Sequence, residues 1–278
     1  MNVPHDIWPG EDRRLKAVVL DWAGTVVDFG SLAPMGAFVK LFARYGVNIT
    51  TAHARVPMGL HKWDHIHAIG QMEDVAQQWL AAHGNPFSDA DVDELYDVFT
   101  PMNRESVRDH AALIPGALAT VNALRDAGLR IGSTTGYNKD IMVVLQALAR
   151  EQGYVPDTLV CVGDTPAGRP SPLMMYRCFA DLGVWPPAAV LKVDDTVPGI
   201  AEGLNAGCWT VGVAVTGNCV GLTAEECAAL SDSERASLRA GATNTLRDAG
   251  AHYVIDGIGD LMPVVAEINQ RLAAGERP

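Results

Sequence analysis

The sequence predicts an α/β protein: a Rossmann-like parallel sheet core carrying an inserted all-helical cap domain. Three observations predict it. Short β-branched runs alternate with helical patterns through most of the 278 residues. One long stretch after the first run holds helical periodicity and no strand. Several of the runs end in polar residues, at the place where open parallel sheets gather their ligands.

In chain order, the expected strands are 17–20, 129–133, 158–162, 190–193, 209–215 and 253–255. Several are nearly continuous apolar runs, as suits strands covered on both faces. Helices are expected between them: one bearing Leu118, Val121 and Leu124 after Pro115-Gly116, and others near 139–150, 172–182, 197–205, 223–240 and 258–273. From 32 to 109 the pattern changes. Met35, Phe38, Val39 and Phe42 follow Pro34 at i, i+3, i+4, i+7; Val75, Trp79 and Leu80 form a second apolar face; Val92, Leu95, Tyr96 and Phe99 follow a Ser88 cap. The expected division is a catalytic core of 1–31 and 110–278 and a helical cap of 32–109. No internal repeat or low-complexity segment interrupts it.

Composition excludes several classes. Hydrophobic residues make up 48% of the chain and charged ones 19%, enough apolar material to bury roughly 75% of the unfolded surface and too much for a disordered chain. With 33 acidic against 21 basic side chains the formal charge is −12, which argues against nucleic acid and anionic membrane surfaces as partners. The opening segment to Leu15 contains Pro4, Pro9, Gly10 and the cluster Glu11, Asp12, Arg13, Arg14, with no apolar stretch of signal-peptide type, and reads as a leader to the fold. No run reaches the ~18 apolar residues of a membrane span; the best, at 211–215, reads as a buried strand. Five cysteines, odd in number and without a CxxC pair, fit reduced, packed thiols and a cytoplasmic chain.

Asp21 follows the first strand in Leu20-Asp21-Trp22-Ala23-Gly24-Thr25. Its carboxylate either faces a ligand at the strand's carboxyl end or caps the turn before Gly24. The second strand closes on Gly132-Ser133-Thr134-Thr135-Gly136-Tyr137, whose hydroxyl and exposed N–H groups suit phosphoryl oxygens. Another closes on Lys192-Val193-Asp194-Asp195-Thr196, where Asp195 can join Asp21 in holding Mg²⁺ through hard oxygen ligands. Between them Gly168-Arg169-Pro170-Ser171-Pro172 places a cation on a stiff turn.

The order DxxGT, strand-STTG, GRPxP, strand-DDT resembles the haloacid dehalogenase superfamily. With DWAGTVVDFG, PMGLHKWDH and GSTTGY the chain more closely resembles the phosphonoacetaldehyde hydrolase family, over nearly its whole length after the leader. The resemblance implies a haloacid dehalogenase-like fold and hydrolysis of the carbon–phosphorus bond of phosphonoacetaldehyde, giving acetaldehyde and phosphate, in 2-aminoethylphosphonate degradation downstream of a transaminase. It implies Asp21 as nucleophile, and Asp21, Asp195 and the Ala23 carbonyl as Mg²⁺ ligands. Thr25, Thr135 and Arg169 would hold phosphoryl oxygens. Lys62 would form a Schiff base with the aldehyde, His65 and Tyr137 would assist proton transfer, and Met58 and Gly59 would line the site. A homodimer formed through the caps is also implied.

Two departures from the superfamily are informative. The position two residues after the nucleophile, generally an Asp that protonates a leaving alkoxide, is Ala23 here, and alanine transfers no proton. A carbon leaving group can instead depart as an enamine if Lys62 first converts the aldehyde to an imine. Such a lysine must be partly neutral, below its reference value of ~10.4. The chain has only five lysines, and of the two in the cap Lys40 sits on an expected solvated face. The second departure is Gly199, where members place a further acidic residue after the Asp that matches Asp195; Asp194 or water would compensate. Ser31, a cysteine in some members, carries no assigned role. His61, His65 and His67 crowd one segment, an alternative metal site that lacks a second cluster. Trp22 and Trp63 read as core or pocket wall. The rival functions are a phosphatase or phosphomutase of the same superfamily and a binding protein that has lost turnover.

Overall fold

The computed structural model describes residues 13–278; the expected leader up to residue 12 lies outside the described residues. Among the described residues six strands form one parallel sheet: β1 (Ala17–Leu20), β2 (Arg130–Thr135), β3 (Thr158–Cys161), β4 (Val190–Asp194), β5 (Trp209–Val213) and β6 (Tyr253–Ile255), in the order β3-β2-β1-β4-β5-β6. Ala17 pairs with Arg130 on one side and with Val190 on the other. The chain builds outward from β1 to β3, then returns past β1 to start β4. The strand order therefore reverses between β1 and β4, and the crevice beyond their carboxyl ends is where such sheets bind ligands.

Side-chain alternation divides the core. Val18, Leu20, Ile131, Leu191, Val211 and Val213 face one side, packed on residues of α6 (Ala117–Asp126), α7 (Lys139–Glu151) and α12 (Leu261–Ala273). Ala17, Val19, Val160 and Val190 face the other, against Met174, Met175 and Cys178 of α8 (Leu173–Leu182). Helix α9 (Val197–Asn205) covers β4 and β5.

Between β1 and α6 stand five helices and no strand: α1 (Ala33–Arg44), α2 (Thr51–Arg55), α3 (Lys62–Gly70), α4 (Glu73–His83) and α5 (Asp89–Asp109). They bury an apolar cluster of their own, with Phe38, Phe42, Ile66, Ile69, Trp79, Leu95 and Phe99 at its centre. Asp28 anchors the entry to this cap: its carboxylate accepts from Leu32 N and Ala33 N, both at 2.9 Å, satisfying free donors at the start of α1.

Most elements fall where the sequence places them. The expected helix at 223–240 is instead two, α10 (Ala224–Ala229) and α11 (Asp232–Asp248). Two capping boxes explain the break, Thr223 with Glu226 and Ser231 with Glu234; the second starts a new helix where the apolar pattern reads as continuous. The expected strand at 209–215 ends at Val213, and the helix expected from 258 begins as a 3-10 turn at Ile258–Asp260. The short α2 is absent from the sequence expectation; five residues give too little periodicity to show it.

Candidate active site

Three strand ends converge on one cleft. Its wall is made by Asp21, Ala23 and Ser31 after β1, Thr135, Gly136 and Tyr137 from the end of β2, Arg169, and Asp195 with Thr196 after β4; Met58, Gly59 and Lys62 close it from the cap side. Of the residues to which the resemblance gives a site role, the cleft gathers all except Thr25 and His65. Thr25 is fully buried beside it, its hydroxyl without a partner. Ser31 and Thr196 join the wall without having been assigned a role from the sequence.

The floor of the cleft is a buried ionic network. Arg169 Nη2 donates to Asp21 Oδ1 at 2.6 Å and to the Thr134 carbonyl at 2.9 Å, and lies 3.1 Å from Asp194 Oδ2; its Nε lies 3.1 Å from Glu202 Oε2. Lys192 Nζ pairs with Asp194 Oδ2 at 3.0 Å and Glu202 Oε2 at 3.3 Å. Arg169 thus serves first as the counter-ion that orients Asp21, with its planar fork matched to several acceptors. Lys192 and Glu202 went unnoticed in the sequence as site residues. The only signal for Lys192 is a charge inside the apolar run of β4.

The acidic groups outnumber their cations. Burial, and then the charge of Asp194, raise the Asp21 carboxyl to about 6 against the pull of Arg169. Asp195 is pushed well above the ordinary carboxylate range by burial, then by the charges of Asp21 and Asp194. Its Oδ2 accepts from Asn218 N at 2.7 Å, while Oδ1 is buried without a partner. Asp21, Asp194 and Asp195 offer carboxylate oxygens within 4.8 Å of one another. An excess of buried negative charge on hard oxygen donors fits a divalent cation such as Mg²⁺. Asp194 is already committed to Arg169, Lys192 and Thr196, so Asp21 and Asp195 have the freer oxygens. Gly199 supplies no ligand for a packing reason: a Cβ there would sit 1.9 Å from the Asp194 carboxyl carbon. The histidines of the α3 segment turn apart: His61 toward Asp64, His67 toward Asp89, and His65 toward the Ala54 carbonyl.

Lys62 begins α3 and is 3% exposed. Its Nζ lies 3.7 Å from Met58 Sδ, 5.6 Å from the centre of the Phe38 ring and 5.2 Å from that of Tyr137. Burial lowers the amine to about 8, opposed by the charge of Asp21. At neutral pH a useful fraction is therefore the free base. His65, one turn on, is completely buried, stacked on Phe38 with ring centres 4.0 Å apart. Its Nε2 lies 2.7 Å from the Ala54 carbonyl, which can only accept, so the proton sits on Nε2 and the unpartnered Nδ1 keeps a lone pair. Burial and then Lys62 hold this ring neutral. The Tyr137 hydroxyl is buried without a partner and stays a phenol, burial raising it well above its usual value.

The cap loop meets the core closely. Gly59 has φ +93°, and a Cβ there would fall 2.3 Å from Thr196 Oγ1. Only glycine allows both this turn and this approach.

The chain is similar to known proteins over most of its length. The family of haloacid dehalogenase-like hydrolases matches residues 15–207. A phosphonoacetaldehyde hydrolase of Paraburkholderia phytofirmans is 51% identical over 266 residues, 96% of this chain and 100% of that protein. One from Aeromonas hydrophila is 52% identical, covering 95% of each. The crystal structure of a phosphonoacetaldehyde hydrolase-like protein from Oleispira antarctica superposes with a TM-score of 0.96 at 42% identity, covering 100% of both chains.

Proposed function

This chain belongs to the phosphonoacetaldehyde hydrolase family of the haloacid dehalogenase-like hydrolases, and on that premise we propose how its residues hydrolyse the carbon–phosphorus bond of phosphonoacetaldehyde to acetaldehyde and phosphate. The observation that carries the proposal is a buried cap lysine, lowered to about 8, in the same cleft as a strand-end carboxylate.

The neutral Lys62 amine adds to the aldehyde carbon, and loss of water leaves an imine. His65, one turn on from Lys62, and Tyr137, whose ring centre lies 5.2 Å from Lys62 Nζ, would move protons in that step. Asp21 then attacks phosphorus. The carbon–phosphorus bond breaks, its electron pair moves into the protonated imine, and an enamine leaves. Protonation at carbon and addition of water release acetaldehyde and restore Lys62. A second water hydrolyses the phosphoryl group from Asp21, giving phosphate.

Asp21, Asp195 and the Ala23 carbonyl would hold Mg²⁺, which when bound neutralises charge between the phosphonate and the carboxylates. Thr25, Thr135, Arg169 and the N–H groups at Gly136 would bind phosphonyl oxygens, and Met58 and Gly59 would shape the aldehyde pocket. Residues 32–109 act as the cap that shuts the site, on a core of 1–31 and 110–278. Ala23 suits this chemistry because a carbon leaving group needs no proton from that position; a phosphatase or phosphomutase does.

Among the described residues no helix is long and apolar enough to cross a membrane. A cytoplasmic homodimer fits the family reading, and sedimentation of the purified protein tests the dimer. The activity is tested by incubating the protein with phosphonoacetaldehyde and Mg²⁺: equal amounts of phosphate and acetaldehyde are expected, and loss of both in Lys62→Ala. Phosphate release from simple esters that survives Lys62→Ala would favour a phosphatase instead.

A further inference from the structure

Arg55 ends α2 in the cap, yet its guanidinium lies on the core. Nη1 donates to the Gly30 carbonyl at 3.2 Å, the Asn218 carbonyl at 3.1 Å and Asn218 Oδ1 at 3.3 Å; Nη2 donates to the Gly221 carbonyl at 2.6 Å. Asn218 Nδ2 donates back to the Arg55 carbonyl at 3.3 Å. The N–H of the same Asn218 holds Asp195 Oδ2 at 2.7 Å, which leaves Oδ1 as the unpartnered oxygen. One hydrogen-bonded chain thus runs from the cap to a carboxylate of the acidic cluster. Arg55 also stands three residues before Met58, so the same bonds seat the loop that closes the cleft.

We propose that Arg55 is a positioning residue that fastens the cap to the loop bearing Asn218 and, through it, fixes Asp195 with one oxygen held and the other presented to the cation. Closing the cap and aligning the metal carboxylate are then one event. The inference rests on the reading of Asp195 as a Mg²⁺ ligand and extends it to a residue outside the cleft wall. A planar fork fits this arrangement, with Nη1 serving Gly30 and Asn218 while Nη2 serves Gly221; an ammonium offers a single nitrogen in their place.

The test uses full-length Arg55→Lys, Arg55→Ala, Asn218→Ala and the Arg55→Ala/Asn218→Ala double variant. Mg²⁺ affinity is measured by calorimetry and Lys62 trapping by borohydride. Outer groups that orient metal ligands typically affect affinity about 10–100-fold, so Arg55→Lys is expected to weaken Mg²⁺ binding about tenfold and lower kcat for phosphate release, while trapping on Lys62 persists. The double variant is expected to lose less than the two single losses combined. Wild-type Mg²⁺ affinity in folded Arg55→Lys overturns the proposal, as does strict additivity. If Arg55→Ala does not fold, Arg55→Lys and Asn218→Ala decide. If the wild-type protein binds Mg²⁺ but releases no phosphate, the assigned activity fails while the titration still decides the role of Arg55.

Discussion

Lys62 Nζ lies 5.2 Å from the centre of the Tyr137 ring, so a buried amine of the cap rests on an aromatic side chain of the core. Where the two parts meet, Lys62 is 3% exposed. Burial is the largest cause of its fall to about 8. In the proposed mechanism cap closure would do two things to one nitrogen: deliver the amine and, by burying it, make its proton easier to lose.

The pH dependence of imine formation follows. Only the neutral amine attacks, so trapping on Lys62 should rise with pH through about 8 and then level. The carboxylate of Asp21 favours the protonated amine, so Asp21→Asn should move this midpoint to lower pH. A midpoint that stays or rises, measured by borohydride incorporation across pH 6–10 (a range set about the ordinary amine and imidazole values), contradicts the proposed electrostatics.

The two covalent steps use different residues and should separate. Asp21→Asn is expected to lose phosphate release by several orders of magnitude while still forming the imine. Phosphate release near the wild-type rate in that variant excludes Asp21 as nucleophile.

Mg²⁺ should stabilise the fold, and more so at high pH. At about a hundredfold its dissociation constant it adds about 2.7 kcal/mol. Without metal, Asp21 has a folded-state value of about 6 against the usual 3.8, so its protonated form is the one the fold prefers. Metal-free stability then gains as pH falls through about 6, and protons compete with Mg²⁺ in the same range. Thermal unfolding with Mg²⁺ or EDTA should show a larger difference at pH 8 than at pH 5; the reverse order would count against the carboxylate assignment.

Gly199 gives a packing test. An aspartate there would have to displace Asp194 from Arg169, Lys192 and Thr196. Overpacking of this kind costs about 1–3 kcal/mol, so Gly199→Asp should lower the melting temperature without tightening Mg²⁺ binding. Tighter binding with unchanged stability would mean that Asp194 yields easily.

The sheet, its strand-end residues and the inserted cap were legible in the sequence because each is local: an apolar run, a turn after it, a helical period. The break between α10 and α11 was hidden by a continuous pattern, although Ser231 and Glu234 spelled the cap. Arg55, Lys192 and Glu202 were not legible as parts of the site. Arg55 meets its Asn218 partner across 163 positions, and nothing short of the fold joins them. His65 illustrates the opposite limit: the resemblance gave it a role in proton transfer, but the tautomer follows only from the Ala54 carbonyl it faces.

In the proposed mechanism Lys62 becomes covalently bound to the substrate. Borohydride reduction during turnover of phosphonoacetaldehyde, followed by peptide mass mapping, tests it directly. We expect one added two-carbon or phosphonoethyl group on Lys62 and none on Lys16, Lys40, Lys139 or Lys192. Continued release of phosphate and acetaldehyde with Lys62 unmodified would contradict it.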